Sequence, residues 1–308
     1  IDQRSRNQAP TQAEKNRHNE PICWTKVLIA MATSADTVEQ EATESLRTQG
    51  WCVLSNIISD SDLNNIRESI RTSVVENSRQ PAPRYGVSNL LRYDQSLLPH
   101  LENTKFTTVV ENVVGPKWRF SFATGYVTGP GTDRDIWHAD FPYNQRNTAH
   151  IPAPYPDVAM HLTTFWMLTD FTPDNGATFV MPESHRKPDH PRPGSQYGDW
   201  LDPIEGEARL LGSAGDVAIV DSRLWHAVSP NKTNNDRITV VLRCAPWWLN
   251  LNPTRRDHID RALVVGDGMD SFVEDLPVSV YEAASENLRP RLAHLLPQGT
   301  RIEALAGQ

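Results

Sequence analysis

Two hydrophobic periods divide this chain, and they change over near Trp118. Before that point apolar residues recur at helical spacing. Val38, Ala42 and Leu46 repeat every fourth residue up to Gly50, where a helix would release the chain. Leu63, Ile66, Ile70 and Val74 mark one face of a second helix, entered through Ser59 and Asp62 as an Asp version of a capping box. Phe106, Val109, Val110 and Val113 predict a third, stopped by Gly115-Pro116. Between the first two helices Trp51–Leu54 reads as a buried strand, and Pro81 to Tyr85 as a proline-bearing loop. From Trp118 onward the period is two. Strands are expected at Trp118–Val127, His161–Leu168, Ala177–Met181, Gly215–Val220 and Arg237–Cys244, with Asn175-Gly176 as a tight turn between two of them. Helices followed by many short strands predict a mainly β fold with flanking helices, its antiparallel core a jelly roll or barrel.

Composition narrows the function classes. Thirty basic and 38 acidic residues give a formal charge of −8, which exerts no global pull on phosphate backbones or anionic lipid. No basic, aromatic stripe speaks for nucleic acid, and no apolar run has the length of a membrane span. The three cysteines, Cys23, Cys52 and Cys244, are odd in number and widely spaced, which suits a reducing compartment and a cytoplasmic location. Residues 1–35 read as a disordered or vector-derived extension, with Met31 a candidate native start, and 36–308 as one domain. The segment after Leu251 offers helices that cover the core and could form a homodimer contact.

The candidate chemistry lies in three places. His138 and Asp140 stand two apart, so on one strand both project to the same side. His226 supplies a second imidazole from a distant strand, and Arg237 follows it by eleven residues. Two imidazoles and a carboxylate make the facial triad that holds non-haem Fe(II) with coordination positions open. A planar guanidinium such as that of Arg237 can grip a carboxylate through two parallel hydrogen bonds. His161, His185 and His190 are rival imidazoles.

The surrounding text resembles the phytanoyl-CoA dioxygenase-like branch of the Fe(II)/2-oxoglutarate oxygenases over roughly residues 45 to 250. The matching segments are Trp137-His138-Ala139-Asp140, Asp174 through Arg186, Gly215-Asp216-Val217, Asp221 through His226, and Arg237. The resemblance implies a double-stranded β-helix, the cupin-like variety of jelly roll. It also implies Fe(II) on His138, Asp140 and His226, 2-oxoglutarate on Arg237 with Thr239 beside it, and dioxygen as second cosubstrate. The implied reaction hydroxylates an unactivated C–H bond and releases succinate and carbon dioxide. Desaturation, cyclisation or epimerisation would need no change of ligands. Asp140 speaks against halogenation, for which similar proteins carry a small residue there.

For the substrate, the reading is a small or medium-sized organic metabolite of secondary metabolism rather than an acyl thioester. Tyr143, Trp137, Trp166, Arg146, Trp225 and Trp247 are the candidate contacts. Arg186, Lys187 and Arg192 are what a coenzyme A ester would use. A noncatalytic jelly-roll binding protein is the rival from another class, opposed by the intact set of four residues.

Overall fold

The computed structural model describes residues 37–140, 157–191, 194–264 and 273–300. Backbone contacts divide the chain at Thr37/Val38, and the fold described is that of the unit beginning at Val38. The expected extension over 1–35 lies outside the described residues.

Helix α1 (Val38–Gln49) leads into β1 (Trp51–Leu54), then α2 (Asp60–Asn77), β2 (Arg84–Ser88) and α3 (Thr104–Val114). The strands β3 (Trp118–Thr128), β4 (Leu162–Met167), β5 (Phe179–Val180), β6 (Ala208–Arg209), β7 (Val217–Asp221), β8 (His226–Ala227) and β9 (Arg237–Pro246) follow. Short helices α4 (Arg261–Val264), α5 (Val278–Ala283) and α6 (Arg289–Leu292) come last. The periodic residues serve as read: Leu63, Ile66, Ile70 and Val74 are the buried face of α2. Gly50 has φ +96°, and a Cβ there would come within 2.5 Å of Leu224 and 2.8 Å of the His185 ring.

Two antiparallel sheets carry the site. The larger runs β1-β7-β4-β9-β3-β2 and the smaller β6-β5-β8; among the described residues neither closes into a barrel. Strand β9 shows why both faces of the large sheet matter. Ile238, Val240, Leu242 and Cys244 pack with the helices, against Ile70 and Val74 of α2, Phe106 of α3 and Leu292 of α6. Val241, with Phe165, Met167 and Ala218, packs instead with Val180 and Leu210 from the side of the small sheet. Burying each such side chain contributes about 1.5–3 kcal/mol. The other residues of that second face, Arg237, Thr239 and Arg243, are polar, and they line a cleft.

Three expectations are corrected. The loop placed at Pro81 to Tyr85 ends in β2, which pairs with β3 from Arg84 opposite Thr128. Asn175-Gly176 does not join paired strands: β4 lies in the large sheet and β5 in the small one, so this turn crosses between sheets. Gly176 has φ +88°, a conformation that favours glycine. Ser59 does not cap α2 through its side chain, which donates to the Asp62 carboxylate at 2.7 Å instead. No helix among the described residues is long and apolar enough to cross a membrane.

Candidate active site

His138, Asp140 and His226 each offer a ligand atom within 4.8 Å of the others. The two histidines are brought together by main chain. His138 N donates to His226 O at 3.0 Å, and His226 N donates to His138 O at 2.9 Å. Each imidazole turns its Nδ1 back on its own strand, to Ile136 O at 3.1 Å and to Leu224 O at 2.9 Å. A carbonyl can only accept, so both Nδ1 atoms carry hydrogen, and in the neutral form of each ring Nε2 is the nitrogen with the lone pair a metal would take. Burial, with the neighbouring His138 second, pushes His226 down to about 4, so this imidazole is neutral at neutral pH.

Asp140 is a carboxylate despite its burial. Burial alone would raise its pKa; the charge of Arg243, with the two imidazoles, outweighs it and holds the group below the ordinary carboxylate range. Arg243 grips both oxygens, Nε to Oδ2 at 3.1 Å and Nη2 to Oδ1 at 2.9 Å. Thr163 Oγ1 donates to Oδ2 at 2.6 Å.

The triad opens into a cleft of about 500 Å³, its open mouth included, lined further by Arg84, Tyr126, Thr128, Phe165, Arg237 and Thr239. Cross-strand register orders these groups. Arg84, Thr128 and Arg237 form one row across β2, β3 and β9, and Tyr126 and Thr239 form the next. Arg237 is only 3% exposed, yet among the described residues its side chain makes a single hydrogen bond, from Nη2 to Thr128 Oγ1 at 2.9 Å. Its Nε and Nη1 have no hydrogen-bond partner, and no carboxylate pairs with it among the described residues. Its guanidinium lies 4.5 Å from the centroid of the Phe171 ring. Burial first, and the charge of Arg84 second, pull its pKa down from the arginine range. Thr239 lines the cleft, but its hydroxyl donates to Trp166 O at 3.0 Å.

The aromatic candidates mostly serve packing. Trp137 and Trp225 are fully buried, cluster with Phe179, and are not among the residues that line the cleft. Trp166 is buried against Phe106, ring centroids 5.0 Å apart. Trp247 is 64% exposed and does not line the cleft. Tyr143 and Arg146 lie outside the described residues. Of the rival histidines, His161 and His185 stand apart from the triad, and His185 Nε2 contacts Arg47 O at 3.0 Å. Arg84, Tyr126, Thr128, Thr163 and Arg243 went unnoticed in the sequence. The period of β9 could have revealed one of them, because positions 237, 239, 241 and 243 share a face.

The sequence model of the phytanoyl-CoA dioxygenase (PhyH) family matches residues 46–239. The chain belongs to this family. Its His-His-Asp constellation is the facial triad of Fe(II)/2-oxoglutarate-dependent enzymes. An uncharacterized protein of Mycobacterium tuberculosis is 24% identical over 226 residues, 68% of this chain and 74% of that protein. Dioxygenase af480 of Aspergillus fumigatus is 25% identical over 225 residues, 67% of this chain and 68% of its own length. Among solved structures, HygX from Streptomyces hygroscopicus with nickel, 2-oxoglutarate and hygromycin B bound superposes with a TM-score of 0.57. It shares 15% identity, over 68% of this chain and 88% of HygX. The carbocyclase SnoK from nogalamycin biosynthesis superposes at 0.53 with 16% identity, over 69% of this chain and 87% of SnoK. The epimerase SnoN, solved with Fe3+, alpha ketoglutarate and nogalamycin RO, gives 0.53 and 15%, over 68% and 83%.

Proposed function

We propose that this PhyH-family protein is an Fe(II)/2-oxoglutarate-dependent oxidoreductase acting on a small or medium-sized organic metabolite of secondary metabolism, with its two sheets forming the halves of a double-stranded β-helix. The observation that carries the reading is the pairing, in one cleft, of a metal triad with a buried arginine that has no anionic partner among the described residues. His138 and His226 would hold the metal through Nε2, and Asp140 through its carboxylate. Iron held there would supply dioxygen activation and oxidation of an unactivated C–H bond, with 2-oxoglutarate converted to succinate and carbon dioxide.

The chain's own groups do the positioning. Arg237 has two donor groups ready for the distal carboxylate of 2-oxoglutarate, and Thr128 braces the guanidinium from the adjacent strand. Arg84, one strand further along the same row and paired with Asp135, adds positive potential to that end of the cleft. Thr239 would have to turn its hydroxyl from Trp166 O to join them. Phe165 and Val241, opposite each other on β4 and β9, give the cleft an apolar lining on the stretch of sheet between Arg237 and Arg243, along which 2-oxoglutarate would lie.

Hydroxylation, desaturation, cyclisation and epimerisation all use the same ligands. The fold is shared with a carbocyclase and an epimerase, which supports an outcome other than simple hydroxylation. Arg186 and Lys187 are engaged elsewhere: Arg186 pairs with Asp157, and Lys187 lies over the Tyr197 and Trp225 rings. That speaks against their holding the phosphates of a coenzyme A ester.

The test is succinate release from Fe(II)-loaded protein over a panel of polycyclic and aminoglycoside metabolites, with mass spectrometry of the products. Gain of one oxygen marks hydroxylation, loss of two hydrogens desaturation or ring closure, and unchanged mass epimerisation. Failure of the native chain to bind both Fe(II) and 2-oxoglutarate would sink the proposal and favour a binding protein.

A further inference from the structure

Asp140 stands at one end of a line of buried polar side chains. Thr163 Oγ1, which donates to Asp140 Oδ2, lies 3.0 Å from Ser222 Oγ; Ser222 Oγ lies 2.7 Å from His161 Nδ1; and His161 Nε2 lies 2.7 Å from Ser121 Oγ. None of the five residues is more than 6% exposed. Water cannot readily replace a missing partner at such depth, and an unsatisfied polar group there costs about 1–3 kcal/mol.

The direction of every bond follows from counting protons. Thr163 has one hydroxyl hydrogen, and it goes to the carboxylate. Thr163 must therefore accept from Ser222. Ser222 has then spent its own hydrogen, so it accepts from His161, and Nδ1 of that ring is the N–H. Burial, with the charge of Arg243 second, pushes His161 down to about 3, so the ring is neutral and has a single N–H. Its Nε2 is a bare acceptor, which takes the hydrogen of Ser121. All four bonds point toward Asp140.

Two backbone features support the arrangement. The same residues are tied through their peptides: Asp140 N donates to Ser222 O at 2.8 Å, and Ser222 N to His161 O at 3.1 Å. Ser121 reaches the line because the β3–β9 register slips between Phe120 and Phe122, leaving Ser121 as the extra residue. The burial alternation of β3 breaks at that point, with Phe120 and Ser121 both buried. A bulge of this kind re-aims a side chain.

We infer that His161 is a positioning residue of the metal site: through Ser222 and Thr163, and anchored by Ser121, it fixes the carboxylate of Asp140 for metal ligation. Arg243 grips Asp140 with two bonds of its own, and the chain supplies a further bond that sets how the carboxylate turns. This role rests on the metal reading of the triad proposed above. The chain's polarity is a property of the metal-free protein as well.

The first test needs no metal. In protein labelled with nitrogen-15 at histidine, long-range nitrogen–proton spectra distinguish the tautomers, and His161→Gln identifies the signals by their loss. A hydrogen on Nδ1 with a bare Nε2 is expected; the opposite tautomer reverses the chain and overturns the inference. The second test is anaerobic Fe(II) calorimetry on native protein, Thr163→Val and Thr163→Ser, each with its circular dichroism and melting curve. Thr163→Val is expected to bind iron about 10- to 100-fold more weakly, as removal of a partner behind a metal ligand does, and Thr163→Ser to restore the affinity. If Thr163→Val fails to fold, Ser222→Ala breaks the chain one link further back and makes the same comparison. A folded Thr163→Val that binds Fe(II) as tightly as native protein overturns the role alone. Native protein that binds no Fe(II) overturns the function reading and the role with it.

Discussion

Replacing Arg237 by methionine should separate binding from stability. Among the described residues this guanidinium is a buried cation with one hydroxyl partner and two nitrogens without a hydrogen bond. Burying an unpaired charge costs several kcal/mol, and the contact with Phe171 returns only about 0.5–2 kcal/mol. Methionine keeps much of the volume and removes the charge, so the ligand-free variant should melt no lower than the native chain. 2-Oxoglutarate binding should behave in the opposite way. Two hydrogen bonds between ions contribute about 1.5–3 kcal/mol each, or roughly 3–6 kcal/mol together. At tenfold per 1.4 kcal/mol the affinity should fall by about 10²- to 10⁴-fold. The assay is anaerobic calorimetry of 2-oxoglutarate into Ni(II)-loaded protein, paired with thermal melts. At a hundred times its Kd the ligand should stabilise native protein by about 2.7 kcal/mol and, at the same concentration, Arg237→Met by no more than about 0.4 kcal/mol. A variant that binds 2-oxoglutarate as native protein does would refute the assignment. A folded variant weaker by several kcal/mol without ligand would refute the energetic reasoning.

Asp140→Ala should abolish metal binding by calorimetry and, by leaving the half-buried Arg243 without its carboxylate, destabilise the fold in urea unfolding by less than the roughly 3–5 kcal/mol of a fully buried pair. Because the folded pKa of Asp140 is depressed, its stabilising contribution is present above the unfolded carboxylate value of about 3.9 and is lost as pH falls; the metal-free variant should therefore show a shallower acid limb. His161→Gln should flatten the fall in stability as pH drops from about 6.5 toward the folded value of about 3. There the unfolded chain takes up a proton that the folded ring refuses, and an unchanged slope in pH-dependent denaturation would count against a buried neutral imidazole. Gly125→Ala would place a Cβ 2.5 Å from Val74 Cγ2 in the seam between β3 and α2. Overpacking of this kind costs about 1–3 kcal/mol in the same assay.

What could be read before the structure was known depended on how local the information is. The faces of α1, α2 and α3 were legible because a helix displays its buried side within one stretch of sequence. The triad was legible because its residues come with neighbours typical of the family. Arg84 was hidden by Pro81 and Pro83, which read as a loop, although β2 needs only its pairing to β3 to form. Thr163 and Ser222 gave no signal, since hydroxyls on strands are ordinary and become informative only when register stacks them beside Asp140. The tryptophans misled for a related reason. Trp137 and Trp225 adjoin His138 and His226 in sequence, and alternation along an extended chain sends neighbours to opposite faces. The slip at Ser121 leaves no trace in composition, because a bulge is a property of two strands together.

The reciprocal main-chain hydrogen bonds between His138 and His226 have a practical consequence. The clasp that gathers these distant parts of the chain is built from backbone that every amino acid except proline can supply, independently of the imidazoles it carries. The expected outcome is that a chelator-treated sample keeps its circular dichroism spectrum and melting curve and takes up added Fe(II) in calorimetry; unfolding on chelator treatment would refute it. Substitutions at either histidine should empty the site while leaving the clasp shut, which makes such variants sound blanks for assays of the intact fold.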